Sequence, residues 1–580
     1  MALEPGNHKP FRVGRWSVDP GTGALTDANS TRRLQPRAMA VLQRLAQSAG
    51  ELVSKQQLLD EVWEGAYVGD DVISRCVADI RRAMDDDARR PTIIETMPRR
   101  GYRLIAPVER SAPPLRTIAV LPFTNMTGDA AEDYLCEGIA ELLTAALVQI
   151  TTLRVISRTS ASRFRDAAEG MTEIARQLGA DALIEGSIGR SVDGLRVTVQ
   201  VIDGATDTHL WARSWERAYE DLLALQPEVA RSIATELRAA IEPKDEQRLQ
   251  RPRDLNPAAF RAYLRGRNLW SHRDPRSIRH ACALFEDAID ADPGFSPALV
   301  GKADCHILLA LYGEEEPRKA NETASLILSS AVTLEPDSVE VRTSLASLRL
   351  YFQWDFRGAR AELEQALAIS ASYPITHLAH ADLLVTEGRT RDAVAAMRKA
   401  VRLDPLDPGM RMNLAERLFS AGRHDDGIET YLEIISRFPG FSPGRVRLAL
   451  CYARLGRSKE ALTMLNELPE DPVDVHSLAN RAITLATVAR TTDAELLLAD
   501  LEAMARDRYV PAYQIARVRA SLDDASGALE ALERAVAARD CFLIFAAEDA
   551  VLLPLHGHRS FQEILRQIGL ASENRPDGVG

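Results

Sequence analysis

Apolar residues alternate with polar ones at the start of the chain, fall into helical spacing soon after, and alternate again near residue 100. The stretches Phe11–Val18 and Ala24–Leu34 alternate, and Asp19-Pro20-Gly21-Thr22-Gly23 between them has the composition of a turn, which predicts a small antiparallel sheet. A helix follows from Pro36, where a first-turn proline is tolerated; Ala38, Val41, Leu42 and Leu45 keep its period and Gly50 closes it. Ser54 with Gln57 three residues on forms a capping-box pattern ahead of a second helix carrying Leu58, Leu59, Val62 and Trp63.

The next helix, Asp70 to Met84, carries the informative pattern. Ile73, Val77, Ile80 and Met84 are spaced 4, 3 and 4 residues apart and make one buried stripe. At about 100° per residue, Arg75 and Arg82 point away from that stripe, two turns apart on the outer face. Small Ala78 lies between them, Ser74 and Arg81 flank one side, and Asp79 lies on the other within reach of Arg75. Two strand-like runs follow, Thr92–Thr96 and Tyr102–Ile105, joined by a turn with Arg99 and Arg100 at its tip and Arg103 just beyond. Small and basic residues on an outer helix face suit a major groove, where arginine reads guanine or clamps phosphate. Taken alone, that face also reads as an ordinary solvated one. The arginine-tipped hairpin beside it favours the groove, because such a tip can enter the minor groove.

Three runs together resemble the OmpR/PhoB-type winged helix over residues 10–107: Gly50 through Lys55 with Leu58 through Trp63, Asp70 through Arg82, and Ile94 through Arg103. The resemblance implies that the third helix reads double-stranded DNA through Ser74, Arg75, Ala78, Asp79, Arg81 and Arg82, and that the wing contributes Arg99, Arg100 and Arg103. It also implies an RNA polymerase contact by the loop Glu64, Gly65, Ala66, Tyr67, Val68 and Gly69, and heads that pair on adjacent half-sites. Ala78 and Asp79 stand where that family often has basic residues. A winged helix beginning near residue 10 leaves no room for a receiver ahead of it, so control comes from behind, as in a CadC-like layout. Such proteins often carry a membrane helix next; here the linker PVERSAPPLR is polar and proline-containing.

From Thr117 the pattern becomes strand, helix, strand, helix, strand: Thr117–Leu121, Glu132–Ile150, Leu153–Ile156, Met171–Leu178 closed by Gly179, and Ala182–Gly186. Alternating Leu195–Ile202 and His209–Trp215 follow, which predicts an α/β layer with a mixed sheet. LPFTNMTGD, YLCEGIAELL and GADALIEGSI resemble a TolB-N-terminal-like domain. No phosphate loop of the GxxxxGK[ST] kind occurs. Asp129, Glu132, Asp133 and Glu137 offer a metal in principle, but acids at a helix N-terminus need no metal to explain them.

Behind residue 255 the chain repeats itself. Gly388, Gly422 and Gly456 are 34 residues apart; Ala359, Ala393, Gly427 and Ala461 keep the same interval; Pro405, Pro439 and Pro472 close successive units. The small residues let two antiparallel helices approach and the proline stops the second. The pattern resembles the tetratricopeptide repeat, and about seven to nine units are expected, with a concave face suited to a protein or peptide ligand. His556 and His558 lack a third ligand nearby, and Trp270 and Trp354 read as core.

Charge sharpens the division of labour. Residues 1–108 carry +2 and the remainder −14 of the net −12, so contact with nucleic acid is expected on one face of the head only. Six scattered cysteines without a CxxC exclude a zinc site or a disulfide framework and read as reduced, small buried hydrophobes. No long apolar run and no leader in Met1–Pro10 appear, so a cytoplasmic location is expected, with no membrane partner. The predicted organisation is a winged helix over 1–108, a linker over 109–116, an α/β domain over 117–245 and an all-α solenoid over 255–570. The predicted function is sequence-specific transcriptional regulation, with the signal sensed through the middle and repeat regions. A repeat scaffold with a vestigial head is the alternative. No catalytic residue, metal or cofactor is expected.

Overall fold

The computed structural model describes residues 11–20, 22–27, 30–63, 70–98, 100–109, 117–129, 132–165, 167, 169–192, 194–217, 225–237, 239, 241, 243, 245–246, 256–468 and 474–570. The chain forms two compact units, Met1–Pro114 and Leu115–Gly580.

In the first unit each predicted alternating stretch divides into two strands. Gly14 turns left-handed between β1 (Phe11–Val13) and β2 (Trp16–Asp19). The Asp27 carboxylate accepts from the Ser30 amide between β3 (Ala24–Thr26) and β4 (Thr31–Arg33). Short polar turns inside an alternating run are what the period-two pattern does not register. After α1 (Pro36–Gln47) come β5 (Leu52–Ser54) and α2 (Lys55–Val62), where Ser54 and Gln57 form both halves of the capping box. Helix α3 (Asp70–Met84) precedes the hairpin of β6 (Ile94–Met97) and β7 (Gly101–Leu104), and β8 (Val108–Glu109) returns to pair with β1. The sheets run β4-β3-β2-β1-β8 and β5-β7-β6. Ile73, Val77, Ile80 and Met84 sit in one core with Trp16, Leu25, Leu42, Leu45 and Leu58. Burying each large side chain contributes about 1.5–3 kcal/mol.

The second unit opens with a mixed sheet of order β11-β9-β12-β13-β14. Its strands are β9 (Thr117–Val120), β10 (Thr124–Met126), β11 (Arg154–Val155), β12 (Ala182–Ser191), β13 (Gly194–Asp203) and β14 (His209–Arg217). Strand β12 runs past its predicted end at Gly186, because Ser187–Gly189 pair with β10 on one side while β13 continues on the other. That half of the strand is polar, so composition hides it. All four residues of β9 are buried, alternately against two layers. Ile118 and Val120 face α4 (Asp133–Val148) and α6 (Gln226–Glu236). Ala119 packs with Ile174, Ala175 and Leu178 of α5 (Met171–Leu178) and with Leu406 of the solenoid. The α/β layer and the repeats are therefore joined tightly. Ser157 N donates to Leu403 O at 2.7 Å, Ser160 Oγ to Asp404 Oδ1 at 2.6 Å, and Ser372 Oγ to Leu153 O at 3.1 Å.

Eight helical hairpins follow among the described residues, from Pro257–Trp270 with Pro275–Ala291 to Ala512–Ser521 with Ala525–Ala538. The helix-to-helix turn of each holds one residue at positive φ: Arg273, Gly313, Trp354, Gly388, Gly422, Gly456, Ala489 and Asp523. The three glycines at strict spacing are the units legible in the sequence. Gly313 holds its turn off that spacing, and Arg273, Trp354, Ala489 and Asp523 hold the same left-handed turn with residues that tolerate it less well.

Candidate nucleic-acid interface

The first unit builds a rigid mount for one face of α3. On the inner side Ile73, Val77, Ile80 and Met84 are buried; on the outer side Ser74, Arg75, Ala78 and Arg82 are exposed. The C-terminal end of α3 is held from the first sheet. Trp16 Nε1 donates to Met84 O at 3.0 Å, and Arg32 Nη1 donates to Arg82 O and Ala83 O at 3.1 Å each. Arg32 also pairs with Asp85, which sits at left-handed φ just past the helix, and lies over the Trp16 ring at 5.2 Å. That arginine holds the exposed Asp85 carboxyl below its ordinary value. Sequence patterning did not single out these two residues, since their partners lie about 50 and 70 positions away.

The hairpin is held to α3 by Asp86. Its carboxylate is fully buried and accepts from the backbone N–H groups of Thr92, Ile93 and Ile94 at 2.7, 3.0 and 3.0 Å. The expectation that Arg81, on the flank of the outer face, reads DNA needs correction here. Its side chain is only 13% exposed, with Nη2 donating to Ile94 O at 2.7 Å and to Thr96 Oγ1 at 2.9 Å, and Nε lying 3.6 Å from Asp86. Helical spacing places Arg81 on the flank, but the hairpin strand passes that flank and captures it.

Asp79 pairs with Arg82 at 3.1 Å rather than with Arg75. Arg82 stays 79% exposed. Arg103 forms a cross-strand pair with Glu95, Nε to Oε2 at 3.0 Å, in register. Ser74 Oγ lies 3.3 Å from the Tyr102 hydroxyl, linking α3 to β7. Arg100 is exposed at the tip, and its amide donates to Met97 O at 3.0 Å. Gly101 carries φ +152°, and a Cβ there would lie 2.1 Å from Val53 O, so only glycine lets β7 pass β5 at the base of the wing. Arg99 and the loop Glu64–Gly69 lie outside the described residues.

Three helices with a β-hairpin wing beside the third define a winged-helix domain. Residues 29–104 match the family described as transcriptional regulatory protein, C terminal, so the head is an OmpR/PhoB-type DNA-binding domain. Residues 378–441 and 418–482 match tetratricopeptide repeats. Putative adenylate cyclase 3 of Rhizobium meliloti is 32% identical over 213 residues, 37% of this chain and 35% of that protein. The transcriptional regulator HilA of Salmonella typhimurium is 24% identical over 391 residues, 66% of this chain and 68% of that one. The transcriptional activator CadC of Escherichia coli is 35% identical over 98 residues, 17% and 19% of the two chains. The chain thus spans about a third of the first of these relatives, two thirds of the second and a fifth of the third. Among the described residues no helix is long and apolar enough to cross a membrane.

The other sequence candidates fall into structural roles. Glu132 and Asp129 reach Arg190, Glu137 pairs with Arg165 at 2.6 Å, and Asp133 accepts from Asn125 at 2.6 Å. His556 stacks on Phe561, and Trp270 is buried under Arg273. A cleft of about 660 Å³ lies between the α/β layer and the repeats. Arg176, Arg402 and Arg437 on its wall stand in or beside the last turns of their helices, where cations complement exposed carbonyl ends. Of the six cysteines, Cys76, Cys136, Cys305, Cys451 and Cys541 are buried, as the sequence predicts, while Cys282 is half-buried.

Proposed function

We propose that the chain is a sequence-specific transcriptional regulator that lays α3 in a DNA major groove and its wing against the adjacent backbone or minor groove. The observation that carries this is the outer face of α3, which presents exposed Arg75 and Arg82 two turns apart on a helix fixed at its far end. Ser74, Arg75 and Ala78 face base edges; Arg82 and Arg100 clamp phosphate. Asp79, Arg81 and Arg103 position these groups through the pairs described above. Arg99 and the polymerase contact by Glu64–Gly69 belong to this proposal on the family resemblance. So do paired heads on adjacent half-sites, a protein or peptide ligand on the repeats' concave face, the TolB-like reading of residues 117–245 and the non-enzymatic role.

The Asp79–Arg82 ion pair favours the second reading, a repeat scaffold whose head no longer selects DNA, because it offsets part of the positive face. Selection of bound duplexes from a random pool by the full chain separates the two. A defined motif should be enriched, and Arg75→Ala should weaken binding to it by about 1–3 kcal/mol while leaving random duplex almost unaffected. A pool without enrichment, or equal binding by wild type and Arg75→Ala, rejects DNA selection and leaves the scaffold.

A further inference from the structure

The first two repeats bring together four groups that the DNA-binding reading does not use. Cys282 lies on the helix Pro275–Ala291, Cys305 and His306 on Ser296–Leu311, and Glu315 just past the left-handed turn at Gly313. His306 Nδ1 lies 3.0 Å from both Glu315 oxygens, which fixes the ring, and its Nε2 faces Cys282 Sγ at 3.8 Å. Cys282 packs against the buried cluster that contains Cys305. Cys305 is itself sealed among Trp270, Ile278 and Phe285. Lys302 adds a nearby positive charge, although Glu286 pairs with it.

These neighbours separate Cys282 from the other five thiols. The neighbouring Cys305 thiol and the cationic His306 ring hold Cys282 far below the ordinary thiol range, near 5, against the cost of its burial. His306 rises to about 9 through its bonds to Cys282 and Glu315. Burial pushes Cys76, Cys136, Cys305, Cys451 and Cys541 upward. A thiolate, not a thiol, is the nucleophile, so at neutral pH Cys282 is the one poised to react.

We propose that Cys282 is an oxidant-reactive site whose substrate is a small hydroperoxide, and that Cys305 is its resolving partner. The Cys282 thiolate attacks the terminal peroxide oxygen, an S–O bond forms and the O–O bond breaks. The departing alkoxide takes a proton from the His306 imidazolium and leaves as an alcohol, or as water when the oxidant is hydrogen peroxide. The Cys305 thiol proton then passes to the sulfenic hydroxyl as the Cys305 sulfur, so freed, attacks the Cys282 sulfur; water leaves and an S–S bond joins the two helices. The sulfur pair is oxidised by two electrons and the peroxide is reduced by two. This chemistry is independent of the DNA-binding reading, which bears only on what the modification would control.

The test is to treat the reduced full-length chain with equimolar hydrogen peroxide and follow it by intact mass and peptide mapping, with no DNA present. The intact mass should fall by two hydrogens, reversibly with dithiothreitol, with one cross-linked peptide pair containing Cys282 and Cys305. Cys305→Ser should stop at a sulfenic acid on Cys282 that dimedone traps. His306→Gln should slow oxidation about tenfold or more at neutral pH. Should a variant fail to fold, competitive alkylation of the native wild-type chain decides, with Cys282 labelled well ahead of the other five. Oxidation or labelling of Cys282 at the rate of Cys76 or Cys451, a cross-link elsewhere, or a His306→Gln chain that folds and reacts at the wild-type rate would overturn the proposal.

Discussion

Replacing Asp86 with alanine is expected to release the wing from α3 and cost the head about 3–5 kcal/mol, the range for removing one member of a buried ionic group. The carboxylate sits with zero side-chain exposure and accepts three consecutive backbone N–H groups at the entry to β6, with Thr92 Oγ1 adding a fourth bond at 3.2 Å. Its loss strands the buried N–H groups of Ile93 and Ile94, each costing about 1–3 kcal/mol if water cannot reach it, and leaves the Arg81 charge without its neighbour. Small domains hold about 5–15 kcal/mol in all, so most of the reserve goes. Hydrogen exchange of the full chain reads this locally: amides of residues 92–104 should lose protection while those of the repeats do not change. Unchanged protection in the wing would show that Asp86 does not hold it.

The second large effect lies in the solenoid. Asp382 Oδ2 accepts from the Tyr351 hydroxyl at 2.6 Å and Oδ1 from Arg417 Nη2 at 2.9 Å, so one buried carboxylate joins three successive hairpins. Burial pushes its pKa up despite the guanidinium beside it. Asp382→Ala leaves Arg417, whose side chain is 8% exposed, as an uncompensated buried charge. A loss of about 3–5 kcal/mol in the second unit is expected, measured as a lowered denaturant midpoint with the head's transition in place. Asp382→Leu combined with Arg417→Leu should recover much of that loss, because a buried pair exchanged whole for apolar side chains is often tolerated. A single variant within about 0.5 kcal/mol of wild type would mean that the pair is surface-like in energy.

The sequence discloses the head in unusual detail because its helices are amphipathic and its caps local. Ile73, Val77, Ile80 and Met84 form a stripe that periodicity finds directly, and Ser54 with Gln57 is a cap written in four residues. The capture of Arg81 is not of that kind: its partners Ile94, Thr96 and Asp86 reach it only after the hairpin folds back, and no spacing rule encodes that return. The same divide runs through the repeats. Gly388, Gly422 and Gly456 announce their turns, whereas Trp354, Ala489 and Asp523 adopt the same left-handed conformation without the residue that advertises it. Cys282 looks like any other scattered cysteine until a neighbouring helix brings Cys305 and His306 to it.

The DNA-binding geometry is tested most directly by the salt dependence of affinity for a selected duplex, compared between wild type, Arg75→Ala and Arg82→Ala with Arg100→Ala. Each phosphate clamp lost should make the log–log slope shallower by about 0.9, so the double variant should be shallower by about 2. Arg75→Ala should bind more weakly at every salt concentration along a line parallel to wild type. Three superimposed lines, or a double variant with the wild-type slope, would contradict a head that docks through this face of α3 and its wing.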